Sequence, residues 1–132
     1  MKYDVVIRCK NEMTWLPKVI ESLYYQNIKP SKIILVDNGS DDGSREYAEE
    51  QNCEIVRYDK EDFNYSYALN LGISSTNEKE VLILSAHCEL VTTESVLNMI
   101  EVRHAYKAAG VFGRQIPTIN STPVDTLSLI HI

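Results

Sequence analysis

Short runs of β-branched and aliphatic residues alternate along the chain with stretches whose apolar positions recur every three or four residues. Asp4-Val5-Val6-Ile7-Arg8 is apolar at consecutive positions, the pattern of a strand covered on both faces of a parallel sheet. From Thr14 to about Gln26 the stripe Leu16, Val19, Ile20 and Leu23 predicts a helix, with Thr14 placed to cap it and Pro17 tolerated in its first turn. Lys32-Ile33-Ile34-Leu35-Val36 reads as a second buried strand ending at Asp37. The polar turn Asn38-Gly39-Ser40-Asp41-Asp42-Gly43 then opens a helix from Ser44 to about Gln51. A third strand follows over Cys53 to Tyr58, a short helix around Tyr65 to Ile73, and a fourth buried strand at Val81-Leu82-Ile83-Leu84. Thr93 to about Tyr106 carries a last helical pattern, with Val96, Leu97, Ile100 and Ala105 apolar, and Ala109-Gly110-Val111-Phe112 is a candidate fifth strand.

Strands alternating with helices of about ten residues imply right-handed crossovers and a mostly parallel, doubly wound α/β sheet. The length of 132 residues suits one domain, and no internal repeat, low-complexity tract or linker interrupts it. With 44% apolar and 24% charged residues the composition is that of a globular chain, which excludes collagen-like, mucin-like and wholly disordered readings. A chain of this length buries roughly two thirds of its unfolded surface, so the core requires neither disulfides nor a structural metal. The ending Leu127-Ser128-Leu129-Ile130-His131-Ile132 is an uncapped apolar hexamer. It resembles the in-frame translation of a transposon adapter end, CTG TCT CTT ATA CAC ATC; the plain alternative is a terminal strand. The expected organisation is therefore a domain part over 1–126 and a non-native tail over 127–132, with the natural chain continuing past Thr126.

A net charge of −6 argues against nucleic acid as a partner, because phosphate contacts need clustered Lys and Arg. The first thirty residues are nonetheless slightly basic (Lys2, Arg8, Lys10, Lys18, Lys29), which suits a small anionic ligand. Cys9, Cys53 and Cys88 are odd in number and form no C-x-x-C pair, so neither a zinc site nor a disulfide framework follows. No apolar run reaches the roughly 18 residues of a membrane span, and the start lacks the layout of a signal peptide. These features predict a cytoplasmic chain, or one held at the inner face of a membrane by parts outside this sequence. The Asn-x-Ser/Thr matches at Asn38, Asn64 and Asn120 then read as chance.

In open parallel sheets ligands bind beyond the carboxyl ends of the strands, where strand order reverses. Arg8, Cys9, Lys10, Asn11 and Glu12 follow the first strand, Asp37 the second, and Ser85, Ala86, His87 and Cys88 the fourth. These clusters are expected to converge on one cleft, with Arg8, Asp37 and His87 facing it. The chain has no G-x-G-x-x-G after its first strand and no G-x-x-x-x-G-K-[ST], which removes the usual dinucleotide and P-loop sites. Asp37 to Asp42 is no calcium loop either, since Gly39 takes a ligand position and Ala48 stands where a bidentate Glu belongs. Basic residues after the first strand also disfavour a phosphoacceptor receiver domain.

Five segments together resemble the N-terminal half of a family 2 glycosyltransferase of the GT-A fold. They are Val5-Val6-Ile7-Arg8-Cys9-Lys10-Asn11-Glu12, Leu23 to Gln26, Ile34 to Gly43, Ala68-Leu69-Asn70-Leu71-Gly72 and Leu82-Ile83-Leu84-Ser85-Ala86-His87. The closing Val111-Phe112-Gly113-Arg114-Gln115-Ile116-Pro117 is similar to a subgroup carrying Ser-Ala-His-Cys and Gly-Arg-Gln. The resemblance implies a nucleotide-diphosphate sugar as donor, passed with inversion to a glycan or lipid-linked acceptor hydroxyl in polysaccharide or glycolipid synthesis. It places Arg8, Cys9, Lys10, Glu12, Asp37, Ser85, Ala86, His87 and Arg114 in the nucleotide-sugar-binding set. Several have a plainer alternative: a turn aspartate for Asp37, a solvated loop carboxylate for Glu12, a surface lysine for Lys10, and a loop-pinning salt bridge for Arg114. Asn70 and Gly72 are expected to fix a helix end.

The departure from the family lies after the fourth strand. Ser85-Ala86-His87 stands where Asp-x-Asp usually holds Mg²⁺ or Mn²⁺ on the diphosphate. If His87 is a metal ligand, Mn²⁺ or a softer ion suits imidazole better than Mg²⁺. Its alternatives are direct hydrogen bonding to diphosphate or sugar, or a buried structural role. His104 is expected at the surface. The general base is expected beyond Thr126, so the chain by itself should be inactive. A non-catalytic nucleotide- or sugar-binding module of the same fold is the competing reading.

Overall fold

The computed structural model describes residues 1–58 and 64–116. Two compact units divide the chain, Met1–Leu97 and Asn98–Ile132. The first contains strands β1 (Tyr3–Cys9), β2 (Lys32–Asp37), β3 (Glu54–Arg57) and β4 (Glu80–Ser85), with helices α1 (Leu16–Tyr24), α2 (Ser44–Glu50) and α3 (Tyr65–Ser74) between them. Helix α4 (Ser95–Ala105) starts in this unit and continues into the second.

The sheet order is β3-β2-β1-β4, and all three pairings are parallel. In register, Arg8 lies between Val36 and Ser85, and Cys9 lies beside Asp37. Chain order runs outward from β1 to β3 and then jumps to β4 on the other side. Right-handed crossovers then place α1 and α2 on one face and α3 on the other. The same reversal opens a crevice between the carboxyl ends of β1 and β4.

Val5, Val6 and Ile7 are fully buried, as are Ile34 and Leu35. The α1 stripe is buried as its spacing predicts, and Pro17 sits in the first turn. The capping role expected of Thr14 is not realised. Trp15 is the N-cap and makes no side-chain capping bond; instead the Glu12 carbonyl accepts from the N–H groups of Trp15 and Leu16 at 3.0 and 2.8 Å. At the other end of α1, buried Gln26 holds the loop after β4. Its Nε2 donates to the Thr92 carbonyl at 2.8 Å and its Oε1 accepts from the Val96 N–H at 3.1 Å. Asp4, also buried, accepts from the N–H groups of Asn77 and Glu78 and so ties the α3–β4 turn to β1.

Asn70 and Gly72 lie inside α3 rather than at its end. Gly72 is where that helix meets the sheet. A Cβ there would overlap Val6 Cγ1 and come within 2.9 Å of Val36 Cγ2. The close approach lets α3 cover the cluster of Val6, Ile34, Val36, Tyr58 and Ala68. Asn64 caps the helix by accepting from the Tyr67 N–H at 3.0 Å, so this Asn-x-Ser match has a structural role.

In the second unit α4 is followed by a turn in which Lys107 adopts φ 51° and the Ala108 N–H donates to the Arg103 carbonyl at 3.0 Å. The fifth strand expected at Ala109–Phe112 is not formed; residues 110–116 have no regular structure. A strand is stabilised by its pairing partner, none pairs with this segment among the described residues, and Gly110 adds backbone entropy against an extended state. The expected tail over 127–132 lies outside the described residues.

Gly72→Ala should destabilise the fold by about 1–3 kcal/mol despite alanine's better helix propensity, because β-branched Val6 and Val36 cannot turn aside within a packed core. Urea unfolding measures this, and an unchanged or raised midpoint would mean that α3 can lift from the sheet without loss.

Candidate functional site

A cleft of about 320 Å³ opens at the carboxyl edge of β1 and β4, lined by Arg8, Cys9, Lys10, Glu12, Asn38, Tyr65, Ser85 and His87. Six of the nine residues expected at the site therefore meet there. Asp37 reaches the same sheet edge but is buried, not part of the lining. Its Oδ2 accepts from the Ser40 N–H at 3.2 Å, closing the turn after β2, while Oδ1 is buried with no hydrogen-bond partner among the described residues. Ala86 is buried too and is not part of the cleft lining that includes flanking Ser85 and His87. Arg114 belongs to the second unit, exposed in the irregular segment after α4.

The basic residues are held by neutral partners. Lys10 Nζ donates to the Gly39 carbonyl at 3.0 Å. The Arg8 guanidinium carbon sits 4.3 Å from the centroid of the Tyr65 ring, and its Nε is buried without a hydrogen-bond partner among the described residues. Within those residues neither cation forms a salt bridge. Also in the lining, Glu12 Oε1 lies 3.7 Å from His87 Nδ1, and Ser85 Oγ lies 3.2 Å from the same nitrogen. The His87 side chain is 57% exposed, which excludes a buried structural role. His104 is exposed on α4, as expected.

The floor is a network between two loops. Asn11, in the left-handed region at φ 52°, donates its N–H to Ser40 Oγ at 2.9 Å and accepts from the Asp41 N–H at 2.8 Å. The Glu12 N–H donates to Ser44 Oγ at 3.1 Å and the Met13 N–H to Asp42 Oδ2 at 3.0 Å. Gly43, at φ 92°, supplies the left-handed turn that brings Ser44 to this position. Burial raises the Asp42 pKa, but hydrogen bonds from the Ser44 hydroxyl and from the Met13 and Ser44 N–H groups outweigh it and hold the carboxyl below its usual value. Burial pushes the Cys9 thiol up, so it is a neutral wall of the cleft, not a thiolate nucleophile. All three cysteines are free.

Two lining residues, Asn38 and Tyr65, were not among the expected set. Asn38 had a visible signal, its place directly after Asp37. Tyr65 had none, because the sequence does not reveal which residue of α3 lies beside the end of β1. Among the described residues, no three His, Cys, Asp or Glu side chains cluster closely enough to hold a metal alone, and no helix is long and apolar enough to cross a membrane.

A parallel sheet with a reversal crevice lined by two cations at its carboxyl edge defines a doubly wound α/β protein. The model of Glycosyl transferase family 2 matches residues 4–130, and the chain belongs to that family. It is 29% identical over 126 residues to the O-antigen chain rhamnosyltransferase RfbN of Salmonella typhimurium, covering 94% of this chain and 40% of that protein. It is 28% identical over 130 residues to the 4,4'-diaponeurosporenoate glycosyltransferase of Staphylococcus haemolyticus, covering 95% of this chain and 34% of that protein. The chain thus spans about two fifths or less of these curated relatives. Among solved structures, S. aureus TarS in complex with UDP-GlcNAc superposes with a TM-score of 0.71 at 17% identity, over 89% of this chain and 37% of that one. Glucosyl-3-phosphoglycerate synthase from Mycobacterium tuberculosis, in complex with Mn²⁺, UDP and glucosyl-3-phosphoglycerate, gives 0.64 at 18% identity, over 76% and 38%. These structural matches establish the GT-A type of fold.

Asp42→Ala should cost about 0.5–1 kcal/mol at pH 7, a small figure because the group is exposed. With a folded pKa below the unfolded value, the stabilisation is present above about pH 3.9 and is lost as pH falls through the lower folded value. Urea midpoints at pH 7 and pH 3 test this; an equal loss at both would show that the charge is not what matters.

Proposed function

We propose that this chain is the donor-binding half of an inverting glycosyltransferase acting in polysaccharide or glycolipid assembly. The observation that carries the reading is the pair of cations at the end of β1, Arg8 and Lys10, lining the reversal crevice without a carboxylate partner among the described residues. An anionic diphosphate would supply the missing charge. Asp37 Oδ1, buried without a partner among the described residues, is an acceptor at the end of β2 suited to a nucleoside N–H or hydroxyl. In the transfer, an acceptor oxygen attacks the anomeric carbon, the bond to the diphosphate breaks, and the diphosphate leaves with its electron pair. The base that removes the acceptor proton is placed beyond Thr126, and Arg114 is assigned to the sugar or phosphate. The Ser85-Ala86-His87-Cys88 run supports placing the chain in a subgroup distinct from the Asp-x-Asp enzymes. The relative named as an O-antigen chain rhamnosyltransferase supports a glycan or lipid-linked acceptor.

A divalent cation fits here only if it is shared with the diphosphate. Glu12 and His87, 3.7 Å apart, offer one oxygen and one nitrogen, and the remaining positions would fall to phosphate oxygens and water. Such an ion would stabilise the charge on the leaving diphosphate.

Asp37→Asn keeps the turn's size but replaces the unpartnered acceptor. It should weaken nucleotide diphosphate binding by about 1.5–3 kcal/mol, a tenfold loss or more, with little change in melting temperature. Calorimetry showing unchanged affinity would leave Asp37 a turn residue only. UDP binding should also be tighter with Mn²⁺ than with Mg²⁺, since nitrogen is a poor partner for the harder ion. Affinity unaltered by EDTA would remove His87 from any metal role.

A further inference from the structure

We infer that Tyr65 is a positioning residue that holds the Arg8 guanidinium at the mouth of the cleft for a diphosphate. This rests on the donor-binding reading above.

Side chains alternate along a strand, so Arg8 projects to the same face of β1 as Val6. Val6 is the residue that Gly72 of α3 approaches most closely. Tyr65 lies seven residues before Gly72, two helical turns back on the same face. A helix returning between parallel strands runs opposite to them, so its start lies at their carboxyl ends. The Gly72 contact fixes the height of α3 and thereby carries Tyr65 over Arg8. The ring centroid is 4.3 Å from the guanidinium carbon, within cation–π range.

The platform is anchored independently of Arg8. The Asn64 N–H donates to the Tyr58 hydroxyl at 3.1 Å, and the Tyr58 and Tyr67 rings pack with centroids 5.3 Å apart. The Tyr65 side of the cleft is thus fastened to the segment after β3. Tyr65 itself is 61% exposed, too open to be explained by core packing. Arg8 has many accessible rotamers, and an aromatic face selects among them without consuming any of its N–H donors. A carboxylate partner would instead neutralise the charge that the anion needs.

The test measures UDP binding by calorimetry in the intact protein for Tyr65→Leu, Tyr65→Phe, Arg8→Ala and the Tyr65→Leu/Arg8→Ala double variant. Tyr65→Leu should weaken binding about fivefold to tenfold, and Tyr65→Phe, which keeps the aromatic face, should stay within about twofold. In the Arg8→Ala background Tyr65→Leu should have no further effect. Melting temperatures of the two Tyr65 variants should match the parent, given the exposure of Tyr65. If Tyr65→Phe loses as much as Tyr65→Leu, or if Tyr65→Leu acts equally with and without Arg8, the positioning role is overturned while the donor-binding reading stands. If Arg8→Ala itself leaves UDP affinity unchanged, the diphosphate role of Arg8 fails and both readings fall.

Discussion

β1 is hydrogen-bonded along both edges and buried on both faces, so its peptide groups have no water available if either neighbour is lost. That constraint places β2 and β4 beside it, in register, and makes the chain leave β1 between two strands whose connections run in opposite directions. Arg8 is therefore flanked by Val36 and Ser85, and the residues just beyond it emerge into a crevice. The helix on the α3 face depends on the same strand: Val6 receives Gly72, and the fit of that contact decides where the rest of α3 stands.

The polar groups around the crevice sort by partner. Carboxylates are turned toward backbone N–H groups, Asp42 to Met13 and Ser44 and Asp37 to Ser40, where they close turns and join the loops after β1 and β2. Cations are held by a carbonyl and an aromatic ring, partners that steady them without cancelling their charge. An acidic protein can keep a locally positive lip in this way. Among the described residues of the cleft, the Glu12–His87 pair is the one that sets a carboxylate beside an ionisable base.

Much of the fold was legible in the residues. The four apolar runs became the four strands, the α1 stripe became its buried face, and the alternation implied the parallel sheet; β1 and β2 are buried as read, whereas β4 is only partly covered, with Ile83 exposed at the edge of the sheet. Where the reading missed, the missing quantity was a partner. Ala109–Phe112 has the composition of a strand but nothing paired with it among the described residues. Thr14 had the chemistry of a cap, yet the loop from Glu12 to Met13 finds its hydrogen bonds on Ser44 and Asp42, about thirty positions away. Gly72 looked like a helix terminator because its lack of a side chain is equally useful at a helix end and at a close approach.

By itself the sequence determined periodicity, and periodicity follows from local backbone geometry: it gave the elements, their order and the residues at the strand ends. Those residues had to share one edge because parallel strands end together. What only the tertiary structure decided was the direction each side chain takes once it arrives there. Asp37 folds back into its own turn, Ala86 is buried outside the cleft lining, and Tyr65 joins the cleft from a helix placed by a contact two turns away. Such choices depend on which donors, rings and voids lie within a few ångströms, and those neighbours come from distant parts of the chain.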